Sequence, residues 1–238
     1  MNLPPETLFA VMEATWPPAA WHSSGPFTLR DGQGGGKRVS AATVNGNWDE
    51  NDLLQAENAM RALGQPALFL IREGDAALDA QLGARGYRVV DPVLAYAAAA
   101  RDLAGDGPAY LSSFPHWPPM QIARQIWADG GIGPARLAVM ERAKGAKCVI
   151  LGRSNDRAAG VAFVACHGAH AMLHALEVTP DLRRQGSAQN ILRAAAVWAQ
   201  AMGADTVSLV VTSANTAARN LYEGLGMVEV GHYHYRQQ

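Results

Sequence analysis

Met172-Leu173-His174-Ala175-Leu176-Glu177-Val178 is followed by Thr179-Pro180-Asp181-Leu182, then by Arg183-Arg184-Gln185-Gly186-Ser187-Ala188 and an alanine-rich run to Met202. The first seven residues read as an apolar strand, and Thr179-Pro180 turns the chain. Ala188, Ile191, Leu192, Ala195, Ala196 and Ala199 then recur at helical spacing, which predicts a helix over 186–202. A strand–loop–helix junction of this kind leaves backbone N–H groups unpaired at the helix start. They converge on one spot, and the helix dipole favours an anion there. Gly186 lets a ligand approach the backbone, and Ala188 is small for the same reason. Arg183 and Arg184 add charge and forked donors suited to phosphate oxygens. The junction therefore predicts a pyrophosphate site. On the loop alone, an ordinary β–α connection with two solvated arginines stays open. The dinucleotide fingerprint is excluded, because only Gly186 of its three glycines is present.

Downstream, 206–211 reads as a buried strand, 214–224 as a helix and 227–235 as a last strand. Upstream, helices over 120–127 and 134–144 precede strands 148–153, 159–166 and 171–178, an antiparallel meander. The first half reads as helix 5–14, strands 27–30 and 38–44, helix 49–63, strand 67–72, helix 76–84 and strands 87–90 and 93–98. The glycine-rich stretch from Asp31 to Lys37 is a hairpin turn in this reading; as a P-loop it would need glycine at Asp31 and Ser or Thr at Arg38. The polar, turn-rich segment 102–108 places a boundary between a domain at 1–104 and another at 105–238. The ending Leu82-Gly83-Ala84-Arg85-Gly86-Tyr87 echoes Leu221-Tyr222-Glu223-Gly224-Leu225-Gly226-Met227 at a distance of 140 positions, a hint of duplication.

Composition narrows the class. The 238 residues are 49% apolar and 17% charged with a net charge of −1, so no bulk field draws the chain to nucleic acid or acidic lipid. The longest apolar stretch, 92–100, is far too short to span a membrane, and residues 1–14 lack the basic start of a secretory leader. The two cysteines, Cys148 and Cys166, lie in strand-like text and read as buried free thiols of a cytoplasmic protein. They have neither a nucleophile elbow nor a triad order, which excludes a cysteine hydrolase. His232 and His234 alternate along a strand without a third metal ligand, so no metal is expected.

Two motifs carry a family resemblance. Val178-x-Pro180-x-x-Arg183-Arg184-x-Gly186-x-Ala188-x-x-Ile191-Leu192 resembles the acetyl-CoA-binding motif of the GNAT acetyltransferase superfamily. Asn215-x-x-Ala218-x-x-Leu221-Tyr222-Glu223-x-Leu225-Gly226-Met227 is similar to its N-x-x-A-x-x-L-Y-x-x-x-G-F ending, with Met227 in place of Phe. The match covers residues 118 to 238, while residues 1–100 match the second half of the family only loosely. The resemblance implies an α/β fold of two GNAT-like units. Each would be a mixed, mostly antiparallel central sheet flanked by helices, the first unit degenerate and without a coenzyme loop.

The resemblance also implies roles. Leu176 and Val178 pair their backbone with the pantetheine arm. Arg183, Arg184, Gln185, Gly186, Ser187 and Ala188 surround the pyrophosphate. Asn215 bonds the pantetheine or the nearby chain, and Tyr222 protonates the leaving thiolate. The expected activity moves an acetyl group from acetyl-CoA to a primary amine of a small molecule, amino acid or peptide by direct attack. Proximity does much of the work, a backbone N–H between Leu176 and Val178 meets the oxyanion, and a base takes the amine proton. Where many relatives carry the base as Glu, this chain has Met172, and Val210 replaces the Glu of another variant. His174, on the strand face of Met172, is the first candidate base. Glu177 is the second, though its strand parity is wrong for that face unless a bulge intervenes. His116 and Trp117 are candidates to line the acceptor pocket. A homodimer through sheet edges is compatible with this reading, and a non-catalytic acyl-CoA-binding or protein-interaction module is the alternative.

Overall fold

The computed structural model describes residues 3–238. Met1 and Asn2, the start of the segment read as no leader, lie outside them. The chain runs α1 (Pro5–Thr15), β1 (Ala20–Ser24), β2 (Phe27–Asp31), β3 (Thr43–Val44), α2 (Glu50–Ala62), β4 (Leu68–Arg72), α3 (Ala76–Ala84), β5 (Arg88–Ala99) and α4 (Ala100–Ala104). It continues with β6 (Ser113–His116), α5 (Gln121–Asp129), α6 (Pro134–Arg142), β7 (Lys147–Ser154), β8 (Arg157–His167), β9 (His170–Val178), α7 (Ser187–Ala201), β10 (Thr206–Thr212), α8 (Thr216–Gly224) and β11 (Val228–Gln237). Against expectation, 38–44 is not a strand throughout. Only Thr43 and Val44 pair with β2, and the hairpin partner of β2 is β1, which its polar composition conceals. The two strands expected at 87–90 and 93–98 are one, continuous through Asp91 and Pro92.

A mixed α/β fold is borne out, but not as two separate sheets. β4 to β11 form one eight-stranded sheet in the order β4-β11-β5-β10-β9-β8-β7-β6. All its pairs are antiparallel except β9–β10. The last strand of each half sits inside the other: β5 between β10 and β11, and β11 between β4 and β5. The echoed segments are the helix ends that aim these two strands. Gly86 and Gly226 both adopt a left-handed conformation, with φ of +83° and +78°. In each, the next residue's N–H reaches back over the turn, Tyr87 to Leu82 O and Met227 to Tyr222 O, both at 3.0 Å. The same glycine-capped helix stop thus launches β5 and β11.

Two faces clothe the sheet. On one, α7 packs on Ile150, Ala162, Val164, Leu173 and Leu209. It lies so close that a Cβ on Gly152 would sit 2.6 Å from Ile191 Cδ1. On the other, α5 and α6 cover Val149, Val161 and Phe163, and α1 covers Ala95, Ala97, Met172 and Tyr233. The small β1–β3 sheet and α2 close a further core around Phe69. No helix among the described residues is long and apolar enough to cross a membrane.

Candidate active site

The site begins with a bulge. Along β8–β9, Phe163 pairs with His174 but Val161 pairs with Glu177, so β9 carries one extra residue. That residue is Ala175, held at φ +53°, a conformation that costs a non-glycine residue about 1–2 kcal/mol. Trp127, fully buried, fixes it by donating Nε1–H to Ala175 O at 2.8 Å. The bulge has two consequences. It restores parity, so Glu177 shares the face of His174, the condition on which its candidacy rested. It also bends β9 from β10: their parallel pairing ends at Leu173–Leu209, while β10 stays paired to β5 as far as Thr212. Leu176 to Val178 and Val210 to Thr212 therefore form the two walls of a wedge in the sheet.

On the α7 side, the wedge meets the predicted anion loop. Gly186 caps α7 at φ +83°, with no side chain satisfying the first turn. Arg184 is also left-handed, at φ +60°, which turns the loop amides into a concave cluster. Arg184 has no carboxylate partner among the described residues. Ser187 Oγ is buried without a partner. Gln185 accepts from Ser154 Oγ and Asn155 Nδ2 at 3.1 and 3.0 Å, bracing the loop on the β7–β8 turn. Arg183 is committed elsewhere, to Val178 O at 3.0 Å and Glu177 Oε1 at 3.2 Å. Uncapped amides, an orphaned hydroxyl and a free arginine fit a pyrophosphate.

Asn215 proves to be the α8 cap, its side chain accepting from Ala218 N at 3.1 Å. That cap orients Tyr222, whose ring is buried against Tyr96 with centroids 5.9 Å apart. Burial pushes its phenol up to about 12, so it holds its proton at neutral pH and can only donate it.

On the opposite face, the wedge opens into a cavity of about 270 Å³ lined by both halves of the chain. Trp16, His174, Ala175, Val210, Val211, Thr212, Tyr233 and Tyr235 form its floor and walls. The glycine-rich stretch contributes Gly35, Gly36, Lys37 and Arg38, so the segment read as a plain hairpin turn is part of the site. No motif marked it, because its contacts are to distant elements. His116 and Trp117 do not line the cavity; they lie at the β6–β7 edge, with Trp117 beneath Lys147 Nζ. His234 is held by Asp79 at 2.8 Å. Neither cysteine is a poised nucleophile: burial raises both thiols, Cys166 to about 11.

His174 is engaged on both ring nitrogens. It is buried, with Nε2 2.8 Å from Thr15 Oγ1 and Nδ1 2.9 Å from Arg38 Nη1. A guanidinium only donates, so Nδ1 is the acceptor and Nε2 carries the proton. Burial, and then the charge of Arg38, hold its pKa well below the ordinary histidine value. In this arrangement its one lone pair is occupied and its cationic form is disfavoured. Its Nδ1 is taken up by Arg38 Nη1 in this arrangement. Glu177 keeps one oxygen on Arg183 while its other oxygen is free among the described residues. Its side chain folds over the end of α5, where a Cβ on Gly130 would meet its carboxyl carbon at 2.7 Å.

Residues 115–227 match the sequence model of the Acetyltransferase (GNAT) family. The fold of the whole chain is similar to that of a GCN5-related N-acetyltransferase from Kribbella flavida, at 15% identity and a TM-score of 0.73, covering 97% of this chain and 94% of that one. It is also similar to a tandem GNAT protein from the clavulanic acid biosynthesis pathway, at 14% identity and 0.62, covering 100% and 89%. A conserved protein of unknown function from Staphylococcus epidermidis aligns at 12% identity and 0.66, covering 90% and 91%. No curated protein matches the chain in sequence.

Proposed function

We propose that the chain is an acetyl-CoA-dependent N-acetyltransferase acting on a primary amine in a ternary complex. The observation that carries this is the wedge between β9 and β10, with an uncapped helix N-terminus at one end and an open cavity, read as the acceptor site, on the far face. Bound acetyl-CoA would supply a thioester as the acyl donor. The amides from Arg184 to Ala188, with the Arg184 side chain, hold the pyrophosphate. The free edge of β9 from Leu176 to Val178 aligns the pantetheine arm and offers N–H donors to the thioester carbonyl. Tyr222 delivers its proton to the departing sulfur. Glu177, which lies on the cavity's face of the sheet beside the end of α5 but does not line the cavity, takes the amine proton through water.

We further read the chain as a tandem of two GNAT-like units, 1–104 and 105–238, that have exchanged their last strands. Supporting this, β4-α3-β5 and β10-α8-β11 repeat one pattern about the β5–β11 pair, and the fold resembles a tandem GNAT protein. The N-terminal unit lacks a coenzyme loop and instead builds the wall of the acceptor cavity.

A second reading, a binding module without turnover, is favoured by Met172 and Val210 at the usual carboxylate positions and by the engaged His174. Thiol release from acetyl-CoA over a panel of amines separates the two. Tyr222→Phe and Glu177→Gln should each lower kcat about tenfold or more, with acetyl-CoA affinity within about threefold of wild type. Absence of thiol release with every amine would favour the binding module.

A further inference from the structure

The acceptor cavity carries more positive charge than its own residues neutralise. Of its charged side chains, Lys37 is matched by Asp91 at 2.8 Å. Arg38 and Arg136 also line it, and neither has a carboxylate partner among the described residues. Arg38 is held in place from two sides: His174 accepts from Nη1 at 2.9 Å, and the Trp16 ring lies 5.8 Å from its Cζ. Its Nε is buried with no partner among the described residues. Arg136 reaches the same space across Gly36, whose missing Cβ would lie 3.5 Å from Arg136 Nε. Gly36 sits at φ +101°, so the glycine loop both permits the backbone turn and leaves room for that guanidinium. Two guanidiniums on one small cavity, one of them fixed by a neutral histidine, form a receptor for a planar anion.

The cavity also sets the size and the second end of the ligand. At about 270 Å³, it falls at or below the range of roughly 300–1,000 Å³ typical of drug-sized pockets, which suits a small molecule rather than a peptide segment. Ala175 and Val210 at the wedge share this cavity with the two arginines. A molecule with its anion on the arginines thus presents its other end to the wedge. Trp16, Tyr233 and Ile132 supply apolar walls between.

We infer that the acceptor is a small primary amine bearing its own carboxylate, as in a free amino acid with an apolar side chain, and that Arg38 and Arg136 bind the carboxylate. This rests on the acetyltransferase reading and narrows its substrate class. The test pairs amino acids with their decarboxylated amines and carboxamides: leucine, phenylalanine and tyrosine against the matching amines and amides, with phosphoethanolamine as the phosphate-bearing control. Thiol release gives kcat/KM for each, and thermal unfolding in the presence of CoA gives binding without turnover. The expected result is a preference of about tenfold or more for the carboxylate member of at least one pair, the size of a charge-assisted bond. Only the carboxylate members should raise the unfolding midpoint. Arg136→Gln, at an exposed position, should raise KM for the preferred amino acid and shrink that preference to within about threefold. Arg38→Gln should do the same more strongly, and its folding is checked by circular dichroism. Equal or better use of the decarboxylated amines, a preference for phosphoethanolamine, or an unaltered preference in Arg136→Gln would each overturn the inference while leaving acetyl transfer standing. Failure of every compound to react or bind would overturn it too. A midpoint shift with acetyl-CoA alone then decides whether the acetyltransferase reading falls with it.

Discussion

Acidification should destabilise this protein through His174. The imidazole is buried and neutral, and its pKa is held well below 6.5, first by desolvation and then by Arg38. The unfolded chain takes up a proton near pH 6.5 that the folded chain refuses. Stability contributed by the neutral ring is therefore complete above that pH and is lost as pH falls below it. One group titrating only in the unfolded state gives a slope of about 1.4 kcal/mol per pH unit. Between pH 6.5 and 5, the loss is about 2 kcal/mol, or roughly 4–8 °C in midpoint for a chain of this length. The assay is thermal unfolding from pH 5 to 8 for the wild type and for His174→Asn. In the variant, the amide oxygen stands where Nδ1 stood and still accepts from Arg38, but nothing titrates. Carboxylates common to both proteins cancel in the difference. The variant should be less sensitive to acid by about 2 kcal/mol at pH 5. Identical pH profiles would refute a buried neutral His174, and with it the argument that the ring serves Arg38 and not the amine.

Other consequences follow from the same geometry. Glu57 is buried and receives Tyr87 Oη–H at 2.9 Å, Arg85 at 3.1 Å and Arg61 at 3.4 Å, tying α2 to the start of β5. Glu57→Ala should cost about 3 kcal/mol in chemical denaturation, because it strands a partly buried guanidinium and a buried phenol; a loss below about 1 kcal/mol would show that these groups find water instead. Trp127→Phe removes the bond to Ala175 O and should cost at least about 1 kcal/mol. By releasing the bulge, it should also raise KM for acetyl-CoA. An unchanged KM in a stable variant would detach the bulge from coenzyme binding.

The C-terminal half was largely legible because its decisive features are local. The strand 171–178, the anion loop and the alanine-rich helix follow one another within some thirty residues, and glycine stops mark the helix ends. The unread parts depend on pairings between distant residues. Nothing in residues 87–98 or 227–235 says that β5 and β11 each enter the other half's sheet, since an apolar strand looks the same beside any neighbour. β1 was hidden because its middle residues, Trp21, His22 and Ser23, are all exposed, so no alternation of apolar and polar positions marks it. The parity of Glu177 turned on one residue, Ala175, in a conformation that alanine rarely adopts. His174 had the right chemistry by type, but its partners, Thr15 and Arg38, lie 159 and 136 positions away. Those partners turn a titratable ring into a fixed neutral acceptor.

The most direct test of the central claim is thermal unfolding with and without saturating acetyl-CoA, for the wild type and Gly186→Glu. At about 100 times its dissociation constant, a ligand stabilises the native state by roughly 2.7 kcal/mol. Gly186 is exposed at φ +83°, and a Cβ added to it would meet nothing within 4 Å. The glutamate would therefore add backbone strain and a negative charge at the anion site without disturbing the core. The midpoint should rise by several degrees in the wild type and not at all in the variant. An equal rise in both proteins, or none in the wild type, would contradict a coenzyme held at the start of α7.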